Sequence, residues 1–331
     1  MNWEKKKVFI TGAGGFIGSH LAEGLVERGA SVKAFVRYNS RRDTGCLKVL
    51  PPKIQRQIEI IFGDLRNPDD ARRNLKQSNI IFHLGALIAI PYSYVNPREV
   101  VETNVLGTLN ILSACLGEDV ERIIHTSTSE VYGTAEYVPI DEKHPLKGQS
   151  PYSASKVGAD KIAESFFCSY QLPVVIVRPF NTYGPRQSAR AIIPTLITQA
   201  LTKDKISVGS LHPRRDFTYV SDIVSGFIKV AEGKNALGTV VNLGSNTEIS
   251  IGDLAKEIFE LLGKTSVKMI QAPERIRPTQ SEVERLWADN SKAKTCFGWF
   301  PTISLKEGLS RTIAWVQEHP DFYTEEESYV I

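Results

Sequence analysis

Hydrophobic residues in this chain fall in short runs that alternate with longer segments of helical periodicity. The short runs are rich in Val, Ile and Phe and predict strands at 8–11, 32–37, 58–62, 80–84, 121–126 and 174–178. The segments between them predict helices at 16–28, 68–76, 97–116 and 151–170. Strands alternating with helices indicate a parallel sheet covered on both faces, so we expect a doubly wound α/β fold.

Two of the predicted helices carry start signals. Asn96 and Ser150 are expected to cap them, and each is followed by Pro at the first helical position. Beyond residue 181 the alternation loosens, with helices predicted at 192–201, 221–231, 251–262 and 305–316. We therefore expect an α/β domain over 1–180 and a smaller mixed lobe over 181–331, with the ligand site between them at the strand carboxyl ends.

Composition and charge exclude several classes of protein. The 331 residues are 42% hydrophobic and 23% charged, as in an ordinary globular protein, and the net charge of +3 is too small to argue for nucleic acid. No signal peptide is recognisable, and the most apolar stretch, 80–95, is too short to span a membrane. The four cysteines lack metal-binding or redox spacing. We expect a cytoplasmic protein with no metal site and no membrane partner.

The first predicted strand runs into a glycine-rich segment, VFITGAGGFIG, at residues 8–18. Gly12, Gly15 and Gly18 would allow a tight turn, a close backbone approach and close helix packing. Phe16 and Ile17 open the helix, whose N-terminus would face a pyrophosphate. Because the segment links the first strand to the first helix, dinucleotide binding is favoured over a plain glycine-rich turn.

Two further segments bear on the cofactor. Asp64 and Leu65 follow the third strand and are expected near the adenine, although a turn or helix-cap aspartate is the alternative. The second strand ends without an acidic residue for a ribose 2′-hydroxyl, and Arg37, Arg41 and Arg42 follow it. This pattern favours NADP over NAD. A solvated basic loop is the alternative interpretation of the three arginines.

Tyr152 and Lys156 lie four residues apart at the start of a predicted helix and therefore share a face. A nearby ammonium and the positive end of the helix both favour a phenolate. Lowering a phenol pKa from about 10 to about 7 takes about 4 kcal/mol. Tyr152 is thus a candidate general base with Lys156 as its partner, although the spacing also occurs by chance in helices. Both would border the cofactor.

A hydroxyl-rich stretch, HTSTSEVYG at 125–133, follows the fifth predicted strand. It places Thr128, Ser129 and Glu130 at the end of a buried strand, where an unpartnered carboxylate is rare. A polar turn and a catalytic group are both compatible with this pattern.

These features together resemble the extended short-chain dehydrogenase/reductases that act on nucleotide sugars. The segments TNVLGTLNIL, RPFNTYGPRQ, RRDFTYVSD and ADNSKAKTCFGW are similar to that family, and the likeness covers nearly the whole chain. It implies that Thr128 binds the sugar 4-hydroxyl, that Tyr152 takes its proton, and that C4 gives hydride to the nicotinamide. The resemblance also implies substrate contacts from Asn181, Arg186, Arg215 and Arg277. Any single one of these arginines could instead be a surface residue.

The triplet Thr128-Ser129-Glu130 resembles that of sugar-nucleotide 4,6-dehydratases. The likeness implies that Glu130 removes the C5 proton, made acidic by a 4-keto group, before water leaves from C6. ALIAIPYSY, VPIDEKHPLKGQSPYSASK and NTYGPRQSARAIIPT resemble dehydratases of UDP- or GDP-N-acetylglucosamine, which lead to legionaminic- or pseudaminic-type sugars. RPTQSEVERLWADNSKA resembles GDP-mannose 4,6-dehydratase. Many dTDP-glucose dehydratases have an acidic Asp where this chain has Ser129, so Glu130 or a water would protonate the leaving hydroxyl.

Three alternative functions stay open. A UDP-sugar 4-epimerase would use the same Thr128, Tyr152 and Lys156 and leave Glu130 without a role. A UDP-glucuronate decarboxylase shares the Ser-Glu pair and needs a substrate with a C6 carboxylate. A dinucleotide-sensing module would bind cofactor without turnover, but the intact Tyr–Lys pair argues against it. The resemblance finally implies a homodimer through helices 97–116 and 151–170.

Overall fold

The computed structural model describes residues 1–323, and a seven-stranded sheet lies at its centre. The strands of the described chain are β1 (Lys7–Thr11), β2 (Ser31–Arg37), β3 (Ile58–Gly63), β4 (Ile80–His83), β5 (Arg122–Thr126), β6 (Val174–Pro179), β7 (Asn181–Tyr183), β8 (Lys205–Val208), β9 (Arg214–Arg215), β10 (Phe217–Tyr219), β11 (Val240–Leu243), β12 (Ile249–Ser250) and β13 (Lys268–Gln271). The central sheet has the order β11-β6-β5-β4-β1-β2-β3, and all its pairings are parallel.

Alternating side chains of these strands fill two separate cores. In β1, Val8 and Ile10 belong to one apolar cluster and Phe9 to the other. In β5, Ile124 belongs to the first of these clusters and Ile123 to the second. Because successive strand residues point to opposite faces, a run that is apolar throughout needs cover on both sides. The predicted doubly wound α/β fold is confirmed.

The covering helices fall close to their predicted positions. In chain order the helices are α1 (Phe16–Glu27), α2 (Pro52–Gln55), α3 (Pro68–Leu75), α4 (Ile90–Val95), α5 (Pro97–Val101), α6 (Gly107–Cys115), α7 (Pro151–Tyr170), α8 (Ile192–Thr202), α9 (Val220–Glu232), α10 (Ile251–Leu261), α11 (Ser291–Phe297) and α12 (Leu305–Glu318). Helix α7 begins with the predicted cap. The Ser150 side chain accepts a hydrogen bond from the Ser153 amide, and the Ser153 side chain accepts one from the Ser150 amide.

The predicted continuous helix over 97–116 is wrong in its middle. A π-helical turn, Glu102–Leu106, separates α5 from α6. Within it the buried Asn104 side chain accepts the Leu87 amide at 2.8 Å and donates to the Leu87 carbonyl at 2.9 Å. This long-range contact accounts for the insertion, because it turns a polar side chain inward. The predicted Asn96 cap is also absent, as its side chain makes no capping hydrogen bond.

Residues beyond 180 contribute to both parts of the molecule. Strand β11 pairs with β6 at the edge of the central sheet, and α9 packs against α1, β5 and β6. The pairs β7–β10, β9–β12 and β8–β13, with α8, α10 and α12, build the second lobe. The division of the chain at residue 180 stays a prediction. The last eight residues of the predicted lobe over 181–331 lie outside the described part. Within residues 1–323, none of the helices has both the length and the apolar character needed to cross a membrane.

Candidate active site

The turn after β1 forms a cradle that only glycine can line. Gly12 has a φ of +69°, and a Cβ there would lie 2.8 Å from the Gly85 amide nitrogen. A Cβ at Gly18 would lie 2.2 Å from the Gly12 carbonyl oxygen. The Gly15 cap supplies no side chain to the first amides of α1, at Phe16 and Ile17. Those amides remain available for an anion, so the cradle fits a dinucleotide pyrophosphate.

The residues predicted at the adenine lie beside this cradle. The Asp64 carboxylate accepts hydrogen bonds from Arg66, at 2.9 Å from its amide and 2.6 Å from Nη2, and this pairing lowers the pKa of Asp64. A Cβ added to Gly85 would lie 2.6 Å from Leu65 Cδ1, so Leu65 supports the loop after β4. Arg37 ends β2 with its side chain exposed. The adenine contacts stay predictions.

Thr128 and Glu130 occupy the end of β5 as predicted. Thr128 starts a short 3-10 turn, and its hydroxyl oxygen accepts the Glu130 amide at 3.2 Å. The Thr128 side chain also forms a hydrogen bond with the Tyr152 side chain, which links this turn to α7. The Thr128 and Glu130 side chains are both half-buried, whereas Ser129 between them is only 3% exposed. The turn thus opens Thr128 and Glu130 to the cleft, and a role for Ser129 in catalysis stays a prediction.

Tyr152 and Lys156 lie on the buried face of α7, next to this turn. Lys156 Nζ donates to the Thr126 carbonyl at 2.7 Å, which fixes the ammonium beneath the strand end. Burial lowers the pKa of Lys156 to about 8. Burial raises the pKa of Tyr152, the Thr128 side chain lowers it, and the charge of Glu130 raises it again.

This balance differs from the sequence-based expectation. A lowered pKa was expected for Tyr152, but the low-dielectric interior disfavours the anion more than the chain's own groups favour it. The chain's own groups therefore favour the neutral phenol over the phenolate. Because the charge of Glu130 acts on the phenol, the two side chains lie in the same region of the site. These are the two groups that the resemblance expects to act on the C4 hydroxyl and on the C5 proton of a sugar.

Three of the predicted substrate residues lie on the second-lobe side. Arg215, in β9, is buried, and Arg277 is half-buried; both donate to Glu282 Oε1, at 3.3 and 3.5 Å. Burial lowers the pKa of Arg215, and the charge of Glu130 raises it, so Arg215 also borders the carboxylate at the end of β5. Asn181 Oδ1 is buried without a hydrogen-bond partner in the described chain. These groups offer cations and a free acceptor to a polar ligand.

Arg186 is placed apart from Arg215 and Arg277. Its guanidinium pairs with Glu23 of α1 at 2.6 Å, and its carbonyl accepts the Cys46 thiol at 3.5 Å. These contacts tie the segment after β7 to α1, so the structure brings Arg186 to the cofactor helix. A substrate contact from Arg186 stays a prediction.

The comparisons with known proteins agree with this arrangement. The model of one protein family, GDP-mannose 4,6 dehydratase, matches residues 9–312. The chain belongs to this family. A UDP-N-acetyl-alpha-D-glucosaminuronate decarboxylase of Bacillus cytotoxicus is 34% identical over 95% of this chain and 98% of its own. The dTDP-D-glucose 4,6-dehydratase of Homo sapiens is 31% identical over 95% of this chain and 91% of its own.

A solved structure extends the comparison to bound ligands. The UDP-glucuronic acid 4-epimerase of Bacillus cereus, in complex with UDP-glucuronic acid and NAD, matches with a TM-score of 0.86 and 29% identity. The match covers 94% of this chain and 99% of that structure. The predictions that this GDP-mannose 4,6-dehydratase family member is an enzyme and resembles the nucleotide-sugar short-chain dehydrogenase/reductases are confirmed.

The structure adds Glu282 to this site, a residue that the sequence analysis of this GDP-mannose 4,6-dehydratase family member does not predict there. Besides pairing with Arg215 and Arg277, its carbonyl accepts hydrogen bonds from Thr134 Oγ1 at 3.4 Å and Gln149 Nε2 at 3.3 Å. Glu282 therefore connects Arg215 and Arg277 to the residues that precede α7. The only local signal was an acidic residue five positions after Arg277, which is common in surface segments.

Proposed function

We propose that this protein is a nucleotide-sugar 4,6-dehydratase that converts UDP- or GDP-N-acetylglucosamine into the 4-keto-6-deoxy sugar. The observation that carries the proposal is the position of Glu130, half-buried beside Thr128 and close enough to Tyr152 to raise the pKa of its phenol. A carboxylate there can remove the C5 proton once C4 is a ketone. A 4-epimerase would have no use for it.

Each of the chain's site residues has a separate role in the proposed reaction. Thr128 donates to the sugar 4-hydroxyl, and Tyr152 Oη takes the proton of that hydroxyl. When bound, a nicotinamide dinucleotide supplies reversible acceptance of the C4 hydride and its return to C6. Glu130 then takes the C5 proton and delivers it to the C6 oxygen, which leaves as water. Arg215 and Arg277 would hold the diphosphate through guanidinium hydrogen bonds.

Decarboxylation is the second candidate function. The relative from Bacillus cytotoxicus, a decarboxylase of a UDP-N-acetyl sugar acid, is 34% identical over nearly the whole chain. Its named substrate also supports an N-acetylated sugar in the proposed reaction. Arg215, buried close to Glu130, could pair with a C6 carboxylate as well as with a phosphate.

The fate of deuterium placed at C4 distinguishes these reactions. We expect a nucleotide N-acetylhexosamine labelled at C4 to yield a product one water lighter, with the deuterium in its C6 methyl group. The C5 hydrogen of the product should come from solvent, because the proton that Glu130 removes leaves with the water and C5 must then take up a new proton. Mass spectrometry and proton NMR of the product, for UDP-, GDP- and dTDP-linked substrates, provide the measurement.

An epimerase and a decarboxylase would each give a different labelling result. Label retained at C4 with unchanged mass would identify an epimerase, and carbon dioxide released only from a C6-carboxylate substrate would identify the decarboxylase. Unlabelled substrate run in deuterated water is the matched control, since a dehydratase then gains deuterium at C5 alone. Label left at C4 in every nucleotide sugar tested would refute the dehydratase.

We propose NADP as the preferred dinucleotide. Support comes from the exposed Arg37 at the end of β2, where no acidic residue stands to bind a ribose 2′-hydroxyl. Arg37 also contributes to lowering the pKa of Asp64, which places its charge near the expected adenine. The Bacillus cereus neighbour binds NAD, so this preference would distinguish the present chain from it.

Calorimetric titration of the cofactor-free protein should show tighter binding of NADP than of NAD. Arg37→Ala should reduce NADP affinity and leave NAD affinity nearly unchanged, because only NADP carries the 2′-phosphate. Lys33→Ala, a loss of charge on the same strand farther from its end, is the matched control. Equal affinities of the wild-type protein for the two dinucleotides would contradict the proposal.

The homodimer and the cytoplasmic location stay predictions. The surface formed by α5, α6 and α7 supports the dimer because Val101 and Leu106 are exposed on it, at 44% and 47%. Sedimentation equilibrium of the wild type and of Leu106→Glu would test whether this surface joins two copies.

A further inference from the structure

A buried carboxylate lies one helical turn beyond Lys156 and has no part in the reaction described so far. Asp160, in α7, is 1% exposed, and its oxygens accept four hydrogen bonds. Oδ1 accepts from His125 Nε2 at 3.2 Å, and Oδ2 accepts from Ser127 Oγ at 2.8 Å. Arg178 Nε and Nη2 donate to Oδ2 at 3.2 and 3.0 Å. A carboxylate this deeply buried is tolerated because its surroundings are built for the charged form.

The partners of Asp160 flank the residue that anchors the catalytic lysine. His125 and Ser127 stand on either side of Thr126, whose carbonyl accepts Lys156 Nζ at 2.7 Å. One strand segment is therefore held twice by the same helix, through Lys156 at its centre and through Asp160 at its neighbours. This double attachment fixes the end of β5 immediately before Thr128.

The charges around Asp160 come from several elements. Burial lowers the pKa of His125, so the imidazole is neutral and donates through Nε2. Arg178, in β6, also donates to Tyr132 Oη at 3.0 Å, and its guanidinium carbon lies 4.9 Å from that ring centre. The other titratable groups near Asp160 or on the adjacent cavity of about 360 Å³ are Tyr152, Lys156, Lys161, Glu164, Glu142, His144 and, across His125, His83.

These groups keep Asp160 ionised. Burial alone would raise the pKa of Asp160, but the His125 hydrogen bond and the charge of Arg178 outweigh burial and lower it. In return, the negative charge raises the pKa of Lys156 and of Tyr152. Without it, the Arg178 and Lys156 cations would share a low-dielectric interior with no anion between them.

We propose that Asp160 is a positioning residue of this active site, a fixed buried anion that holds the Lys156 ammonium and the end of β5 in place. Asp160 reaches no reacting atom and acts through Lys156. The role rests on the proposed function only as far as Tyr152-dependent C4 oxidation, a step that the dehydratase, epimerase and decarboxylase reactions share.

The test replaces the charge and keeps the shape. In the holoenzyme with lysine Cε labelled by carbon-13, Asp160→Asn should move the NMR titration midpoint of Lys156 down by about one unit. The Lys156 resonance is assigned by its loss in Lys156→Arg. Both limbs of the kcat–pH profile should also move to lower pH, because the charge of Asp160 raises the pKa of Lys156 and of Tyr152 alike.

Two further variants separate charge from packing. Ser127→Ala removes one hydrogen bond to Asp160 but keeps its charge, so the Lys156 midpoint should stay in place even if kcat falls. Asp160→Ser, a smaller neutral variant that leaves room for water, should repeat the Asn shift if Asn impairs folding. An unmoved Lys156 midpoint in a folded neutral variant would overturn the proposal. The NMR midpoint needs no turnover, so it stays decisive if the proposed reaction itself fails.

Discussion

Replacing Tyr152 with Phe is expected to lower turnover of the nucleotide sugar by at least about 100-fold, the usual scale for loss of a general base. The phenol ring is buried in α7, and Phe fills the same space, so the fold and both binding sites should survive. What is lost is the phenol oxygen that we propose takes the 4-hydroxyl proton. Steady-state kinetics with calorimetric binding of cofactor and nucleotide sugar would separate the two effects.

A second tyrosine provides the matched control. Tyr183 is also buried, and its hydroxyl donates to the Leu305 carbonyl at 3.1 Å, away from the β5 turn. Tyr183→Phe should cost about 1 kcal/mol of unfolding free energy and leave kcat unchanged. If Tyr152→Phe turned over substrate at a near-normal rate, Tyr152 could not be the base.

The pH dependence of the wild type follows from Lys156. The Lys156 ammonium is expected to favour an ionised Tyr152, and burial lowers the pKa of Lys156 to about 8. Below that pH the lysine is charged; as the pH rises through it, the ammonium and its support for the phenolate are lost. The alkaline limb of the kcat profile should therefore report Lys156.

The sheet and the glycine turn could be predicted because their evidence is local. Every residue of β6 is buried, and the strand accordingly opens with the uninterrupted apolar run at 174–177. The close contact of Gly18 with the Gly12 carbonyl joins residues that are only six positions apart in sequence. The pairing of Tyr152 with Lys156 depends only on helical spacing. None of these features needed knowledge of which distant segments meet.

The features that escaped prediction are all set by distant partners. The π turn depends on Asn104 meeting Leu87 and Ser155, and the latter lies 51 residues away. Arg186 meets Glu23 across 163 residues. A charged side chain carries no local sign of which opposite charge it will meet, so the sequence did not predict the ion pair of Arg186 with Glu23.

Burial explains the remaining difference, which concerns Tyr152. Helical spacing shows that Lys156 is near Tyr152, but it does not show how completely α7 covers both. In the folded protein the loss of solvation outweighs the neighbouring charges and raises the pKa of Tyr152. The chain's residues alone therefore favour a neutral Tyr152 phenol. Its ionisation needs a further favourable contribution from groups bound in the cleft.

Glu130→Gln is expected to stop the reaction one step later than Tyr152→Phe. Gln has nearly the same size and keeps its backbone hydrogen bond to Thr128, but it cannot take the C5 proton. Oxidation at C4 should proceed while dehydration falls by about 10² to 10⁴-fold. In a single turnover with enzyme in excess, the 4-keto sugar should accumulate with its C6 hydroxyl intact, detectable by chemical trapping and mass spectrometry.

The matched control is a half-buried carboxylate outside the Ser129–Tyr132 turn. Glu142 accepts the Asn242 amide at 2.8 Å, and Glu142→Gln makes the same chemical change while keeping that acceptor. It should leave dehydration unaffected. Normal dehydration by Glu130→Gln would make Glu130 a structural residue of the strand end, and the epimerase would then explain the site better. Accumulation of the 4-keto sugar without loss of water would instead separate oxidation from elimination, which assigns the first to Tyr152 and the second to Glu130.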